Sequence, residues 1–318
     1  MISRIELFEN WFCWGVKYKD IDPAIWLTNY LNSRYEHNIE QKYWFCWLYA
    51  NTYFLPSAWV LLNEFPDFEL VTVDRLSKWL DKWEKDLFYQ VDCKWNKGYL
   101  LPMFISYKNF IGERTQKEKF ESLCKGDYYN NFDILYQEIN KNIFKFGRYT
   151  IWFYLQHLKQ TVGLNVEPSS LLFKDYTGSK SHRNGMLYAL NLDNYIDKKL
   201  NKLQYDFLEK QATKILERCK LKFPKNKKYF DRFFMETSLC SFKKIFRRKN
   251  GRYLGYYLDR QAEEIIKTEK KNWYGIDWEV FWQARIETLN HDLLNNKINK
   301  NLFGYYLDNN SIYHNNLG

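Results

Sequence analysis

Asn38-Ile39-Glu40-Gln41-Lys42-Tyr43-Trp44-Phe45-Cys46-Trp47-Leu48-Tyr49-Ala50-Asn51-Thr52-Tyr53 decides the fold class. Tyr43, Trp44, Trp47 and Leu48 fall at i, i+1, i+4 and i+5, the spacing of an apolar helix face. Helical signals continue on both sides. Asp22-Pro23 reads as an N-cap followed by proline in the first turn, opening a periodic stretch through Tyr35. Pro56 starts a short helix through Leu62. Thr115-Gln116-Lys117-Glu118 is a capping box ahead of Phe120 and Leu123. Further helices are expected near 131–144, 148–160, 184–191, 198–219, 229–247, 257–271 and 277–294. Stretches 90–112 and 161–182 read as loops, and Leu70–Val73 is a brief strand candidate at most. The expectation is an all-α chain: a multi-helix globular domain over 1–294, softly divided into two helical subdomains near 161–180. An irregular Asn-rich tail over 295–318 follows.

Composition agrees with this class. The 318 residues include 13 Trp, 26 Tyr and 24 Phe, but only 13 Gly and 6 Pro. So few turn formers argue against a β-sandwich and against a disordered chain. The formal charge is +10, from 48 basic and 38 acidic side chains. A basic, aromatic-rich surface suits nucleic acid, because cations meet phosphates and flat rings stack on bases. The same lysines also serve simply to solvate an aromatic core. Six scattered cysteines form no C-x-x-C pair and read as reduced, mostly buried thiols. The first residues do not read as a secretory leader, and no apolar run approaches the roughly 18–20 residues of a membrane span. A soluble, intracellular chain without a membrane partner is therefore expected.

The densest chemistry lies in Ser179-Lys180-Ser181-His182-Arg183-Asn184-Gly185-Met186. Ser181 reads as the cap of a helix whose first turn offers free backbone N–H groups to an anion. Arg183 suits a phosphate bidentately, His182 is a candidate general acid, and Asn184 adds an amide. An ordinary basic helix start is the alternative. In Arg252-Tyr253-Leu254-Gly255-Tyr256-Tyr257-Leu258-Asp259-Arg260, followed by Glu263 and Glu264, a carboxylate at Asp259 or Glu264 is a candidate base or orienter for an incoming amine. Arg260 and Glu264 also make a simple i, i+4 helix pair. Lys243, Lys244, Arg247, Arg248 and Arg252 form a candidate track for backbone phosphates. Trp95 between lysines, with Lys97, is the interleaving expected where a base stacks. Glu64, with Asp67 and Glu69 around Pro66, is a candidate for an amino group or a metal, or for helix capping. There is no P-loop, no G-x-G-x-x-G, no H-E-x-x-H and no G-x-S-x-G. With five histidines and no close pair, no histidine-rich metal centre is expected.

Several of these segments together resemble a known family. Glu40–Tyr49, Thr52-Tyr53-Phe54-Leu55-Pro56, Asn63–Glu69, Lys94-Trp95-Asn96-Lys97-Gly98, Phe146-Gly147-Arg148-Tyr149, Ser181–Gly185 and Tyr256–Arg260 are similar to the amino acid:DNA transferase domain of bacteriophages. The resemblance covers about 1–290. Related families of the same pathway are the hydroxymethyluracil DNA kinases and the glutamyl- or putrescinyl-thymine pyrophosphorylases. The resemblance implies a helical fold and phage DNA carrying 5-hydroxymethyluracil. A kinase converts the hydroxymethyl group to a pyrophosphate ester, and the transferase replaces the pyrophosphate with an amino acid.

On this basis His182, Arg183 and Asn184 would stabilise the leaving pyrophosphate, and Asp259 or Glu264 would take the nucleophile's proton. Arg148, Ser181, Arg260 and Glu64 would bind substrate, Arg148 holding the amino acid carboxylate or another phosphate. Trp95 would stack on a flipped base. The partners would be double-stranded DNA with a modified thymine and a free amino acid, in the cytoplasm of the infected host cell. No cofactor is required, with a divalent cation left open. A noncatalytic DNA-binding or virion-associated protein, or a related kinase or pyrophosphorylase, is the alternative.

Overall fold

Ser3 and Asn38 begin the first and third helices in the same way. In each, the cap side chain accepts the backbone N–H three residues on, and Glu6 or Gln41 reaches back to the cap's own N–H. The computed structural model of the chain describes residues 3–90, 96–175, 178–245, 252–271, 273 and 275–289. These residues form fourteen α-helices and no strand. The all-α expectation is met. Trp95, Arg247, Arg248 and the tail 295–318 lie outside the described residues.

Two compact units divide the chain. The first comprises 1–23, 169–261 and 289–318; the second comprises 24–168 and 262–288.

The second unit holds α2 (Pro23–Arg34), α3 (Ile39–Thr52), α4 (Leu55–Glu64), α5 (Val73–Trp83), α6 (Leu100–Ile111), α7 (Gln116–Leu123), α8 (Tyr128–Asn142), α9 (Arg148–Val162) and α14 (Glu279–Thr288). Its centre is α3, whose residues from Tyr43 to Thr52 are all buried. A helix apolar on every side must be surrounded, and α4, α7 and α9 pack around it. Trp44 stacks on Trp47 at 4.9 Å between ring centres, and Trp47 stacks on Tyr107 at 5.0 Å. Buried aromatics still need partners for their polar ends. Trp44 donates to the Phe65 carbonyl at 2.7 Å, and the Tyr107 hydroxyl meets Gln116 at 2.8 Å and Tyr154 at 2.9 Å.

The first unit holds α1 (Arg4–Lys17), α10 (Lys180–Ala189), α11 (Lys202–Lys222), α12 (Arg232–Phe242) and the opening turns of α13 (Tyr256–Glu269). Helix α1 packs on α10, α11 and α12. Phe8 meets Phe242 edge-on at 5.1 Å, and Trp11 donates to the Ser241 hydroxyl at 3.2 Å. Buried Glu9 is paired by Arg218 and Lys222 of α11. The tightest contact is α10 against α12. A Cβ on Gly185 would lie 2.0 Å from the Leu239 carbonyl oxygen, so the two backbones touch there.

Several expected boundaries moved. Residues 90–112, read as loop, contain α6. Its Pro102 lies in the first turn, where no backbone N–H is required. The strand candidate Leu70–Val73 is instead the end of a 3₁₀ turn and the start of α5. Helix α10 begins at Lys180, not near 184, and its N-cap is Ser179, not Ser181.

Replacing Gly185 with alanine should destabilise the chain by about 1–3 kcal/mol, the cost of overpacking. A urea midpoint followed by far-UV circular dichroism will measure it. An unchanged midpoint would show that α10 and α12 do not meet as described.

Candidate active site

Helix α10 carries the Ser179–Met186 run into the interior of the first unit. His182 and Arg183 are both fully buried, and Asn184 is nearly so. The anion-ready helix start read from the sequence is therefore not open to solvent at these side chains. Their work is on the preceding loop. The His182 Nε2 lies 2.8 Å from the Leu171 carbonyl, and its ring stacks on Phe173 at 5.4 Å. Arg183 Nη1 makes long hydrogen bonds to the Phe173 carbonyl and the Ser179 hydroxyl. Ser179 donates to the carbonyls of Phe173 and Asp175. From the opposite side, Glu209 of α11 accepts the Leu171 and Phe173 N–H groups. Half-buried Ser181 caps nothing; it sits within the first turn.

The other ring nitrogen of His182 faces α12. Nδ1 is 3.2 Å from Glu236 Oε1, and the Cys240 thiol donates to the same oxygen at 3.6 Å. His182 and Glu236 are buried, whereas Cys240 is half-buried. Glu236 and Cys240 are i, i+4 on one helix face. Sequence reasoning missed both. The signal was present only as that spacing within Phe234-Met235-Glu236-Thr237-Ser238-Leu239-Cys240, with the histidine far away in sequence.

Asn184 donates to Asp197 at 2.8 Å, and Lys180 pairs with the same carboxylate at 3.0 Å. The Asn184 hydrogen bond, then Lys180 and Lys243, hold the Asp197 carboxyl below its ordinary range. Two predicted basic positions thus converge with the Asn184 amide on one acid.

The Arg252–Arg260 segment comes near the end of α12, where the Arg252 N–H donates to the Lys244 carbonyl at 3.1 Å. Burial drives the Tyr257 hydroxyl well above its ordinary range, while Arg252 pulls it down and Cys240 pushes it up. Arg252 therefore lies within electrostatic reach of the tyrosine that also senses Cys240. Its guanidinium covers the Tyr256 ring at 3.7 Å, and its Nε has no partner among the described residues. Asp259 is buried and accepts the Tyr253 hydroxyl at 2.7 Å. Asp20 was not anticipated from the sequence. Its carboxylate accepts the N–H groups of Gly255, Tyr257 and Leu258 at 2.9–3.1 Å, capping α13. Burial pushes the Asp20 carboxyl up to about 8, against those three backbone bonds and with Asp259 adding to the rise. Arg260 and Glu264 are both half-buried on α13, and Glu264 lies on a different face from Asp259, five residues away.

In the second unit, three resemblance segments converge on the C-terminal end of α3. Tyr53 has left-handed backbone geometry, with φ 45°, and its ring packs on Phe153 at 4.5 Å and Tyr149 at 5.7 Å. Asn96 donates to the Asn51 carbonyl, and His157 lies 4.4 Å from the Tyr49 ring. Arg148 is buried over the face of Trp152 at 4.9 Å. Lys97 is exposed. Glu64 occupies a separate place, the lining of a cavity of about 440 Å³ shared with Trp79, Trp83, Asp86, Lys271 and Trp273. Arg148 is not part of that lining. Among the described residues, the predicted positions in 179–260 belong to the first unit, whereas Glu64, Lys97, Arg148 and Glu264 belong to the second, where Glu64 stands apart from Arg148.

The family model for the amino acid:DNA transferases matches residues 16–250. The chain belongs to the amino acid:DNA transferase family. A curated relative, the serinyltransferase of Salmonella phage ViI, is 27 % identical over 266 residues, covering 78 % of this chain and 63 % of the phage protein. The chain thus spans less than two thirds of that relative's length. No solved structure matches it. No helix among the described residues is long and apolar enough to cross a membrane.

The raised Asp20 carboxyl sets a direction for stability. An acid whose folded pKa exceeds its unfolded value keeps its proton in the folded chain while the unfolded chain loses it. Stability should therefore fall as pH rises from about 4 to about 8, by at most about 1.4 kcal/mol per unit from this group. Thermal unfolding across that window should show the fall, and Asp20→Asn should flatten it. An identical slope in the variant would remove Asp20 as its source.

Proposed function

We propose that this chain is a phage-type DNA base-modifying transferase. It replaces the pyrophosphate of pyrophosphorylated 5-hydroxymethyluracil in DNA with an amino acid. The family match over residues 16–250 carries this reading. The formal charge of +10 supports a polyanionic partner. The relative's name, serinyltransferase, makes serine the first amino acid to try. The proposed setting is the cytoplasm of an infected cell, with double-stranded DNA and a free amino acid as substrates.

The reaction forms a bond from the amino acid nitrogen or hydroxyl oxygen to the exocyclic carbon of the base. The bond from that carbon to the pyrophosphate oxygen breaks, the pyrophosphate leaves with the electron pair, and the nucleophile's proton passes to a base. The leaving group develops charge and needs fixed cations. In this reading Arg252, with its Nε unpartnered among the described residues beside Tyr256 and Tyr257, is the leading contact for the leaving group. Lys243 and Lys244, both half-buried at the end of α12, hold backbone phosphates. His182 and Arg183 act as positioning residues that hold the backbone at Leu171 and Phe173. In the same reading Asp259 receives the proton, and its hydrogen bond from the Tyr253 hydroxyl supports that role. Within the second unit taken by itself, Glu64 beside three tryptophans is a separate candidate for binding an amino group.

Incubating the chain with pyrophosphorylated hydroxymethyluracil DNA and a pool of amino acids should yield an amino-acyl nucleoside by mass spectrometry, with one pyrophosphate released per adduct. No adduct and no pyrophosphate, with DNA still bound, would favour a noncatalytic DNA-binding protein. Arg252→Ala should lower turnover by about a hundredfold or more, with DNA affinity nearly unchanged. Replacing Lys243 and Lys244 together by alanine should weaken binding to all sequences alike and reduce the salt slope by about two.

A further inference from the structure

His182, Glu236 and Cys240 bring a nitrogen, an oxygen and a sulfur ligand within 4.8 Å of one another in the first unit. The hydrogen bond of His182 to a backbone carbonyl fixes its tautomer. A carbonyl only accepts, so Nε2 carries the proton facing Leu171. In the neutral ring, Nδ1 then presents a lone pair to the Glu236 carboxylate at 3.2 Å. Two acceptors at that distance repel unless a positive species joins them, and that species is either a proton or a metal ion. The outer nitrogen of a metal-bound histidine is commonly tied to a carbonyl in this manner.

The thiol distinguishes the two cases. A proton between histidine and glutamate needs no third group. Cys240 nevertheless puts its sulfur 3.6 Å from the same Glu236 oxygen, one helical turn further along α12. Ligands held about 2.0–2.3 Å from a tetrahedral zinc ion lie about 3.2–3.8 Å apart, and both measured separations fall in that range. The Gly185–Leu239 contact makes the arrangement rigid by fixing the histidine's helix against the helix that bears the other two donors.

We propose that His182, Glu236 and Cys240 form a site for a divalent transition metal of borderline softness, zinc being the best match to one imidazole, one carboxylate and one thiolate. Binding replaces the proton of the Cys240 thiol with the metal and releases that proton to solvent, so affinity rises with pH. Cys240 is half-buried, which leaves the site an approach from solvent, and Tyr257 lies within electrostatic reach of its thiol. An ion held there would lower the pKa of a hydroxyl or water completing its coordination.

This proposal goes beyond the transferase reading, and its test needs no turnover. The full, reduced chain is titrated with Co²⁺ and then with Zn²⁺. One cobalt per chain is expected, with a thiolate-to-cobalt charge-transfer band that zinc abolishes. Cys240→Ala should lose the band, whereas Cys124→Ala, at the other half-buried thiol among the described residues, should keep it. Glu236→Gln should weaken zinc binding about tenfold or more, and circular dichroism checks that each variant is folded. The proposal fails if the wild-type chain gives no such band, which would leave a proton-bridged histidine–glutamate pair. It fails equally if the band survives in Cys240→Ala or disappears in Cys124→Ala. If Cys240→Ala does not fold, the wild-type stoichiometry and Glu236→Gln decide the matter.

Discussion

The contact of Gly185 with the Leu239 carbonyl governs the chemistry of the first unit. Only a residue without a side chain lets two helix backbones approach this closely. One turn earlier on each helix, the same approach sets His182 against Glu236. Because 182 faces 236 and 185 faces 239, α10 and α12 run in the same direction, with α11 carrying the chain back between them. The buried histidine then secures the Leu171 carbonyl, and Arg183 and Ser179 secure Phe173. The stretch 171–175, which lies outside any helix, is thereby held from both sides. A methyl group at one position would disturb the whole sequence of contacts.

The second unit rests on a different principle. Its motif residues are mostly aromatic, and the structure uses them to enclose the end of α3. Tyr53, Tyr149 and Phe153 pack ring against ring, and Thr52 gathers three carbonyls around its hydroxyl. Family resemblance in such residues is thus partly a record of packing. The tryptophan-lined cavity beside Glu64 stands apart from that cluster and carries the polar groups a small ligand requires.

Legibility followed the range of each interaction. The class of fold was readable because α3 is apolar all round and because Thr115–Glu118 and Asp22-Pro23 announce helix starts locally. Helix α6 was hidden by Pro102, which punctuates a sequence without breaking a first turn. The Ser179–Met186 run was correctly read as a helix start, but its exposure was misjudged, since nothing in eight residues reveals that α12 covers them. Glu236, Cys240 and Asp20 acquire meaning only from partners distant in the chain. Asp20 reaches Gly255 across 235 positions, and no local motif signals such a bond.

That bond has a consequence for how the protein is made. Helix α1 contributes Phe8, Trp11 and Glu9 to a core whose other members come from α11 and α12. During synthesis those side chains leave the ribosome before α11 and α12 and wait, unmatched, until the chain has grown past α12. The second unit's continuous stretch from 24 to 168 is complete well before then. Non-local closure of this kind is slow, and it exposes apolar surface in the interval. The nascent chain therefore has a period in which one half can fold around its tryptophans while α1 still lacks α10, α11 and α12.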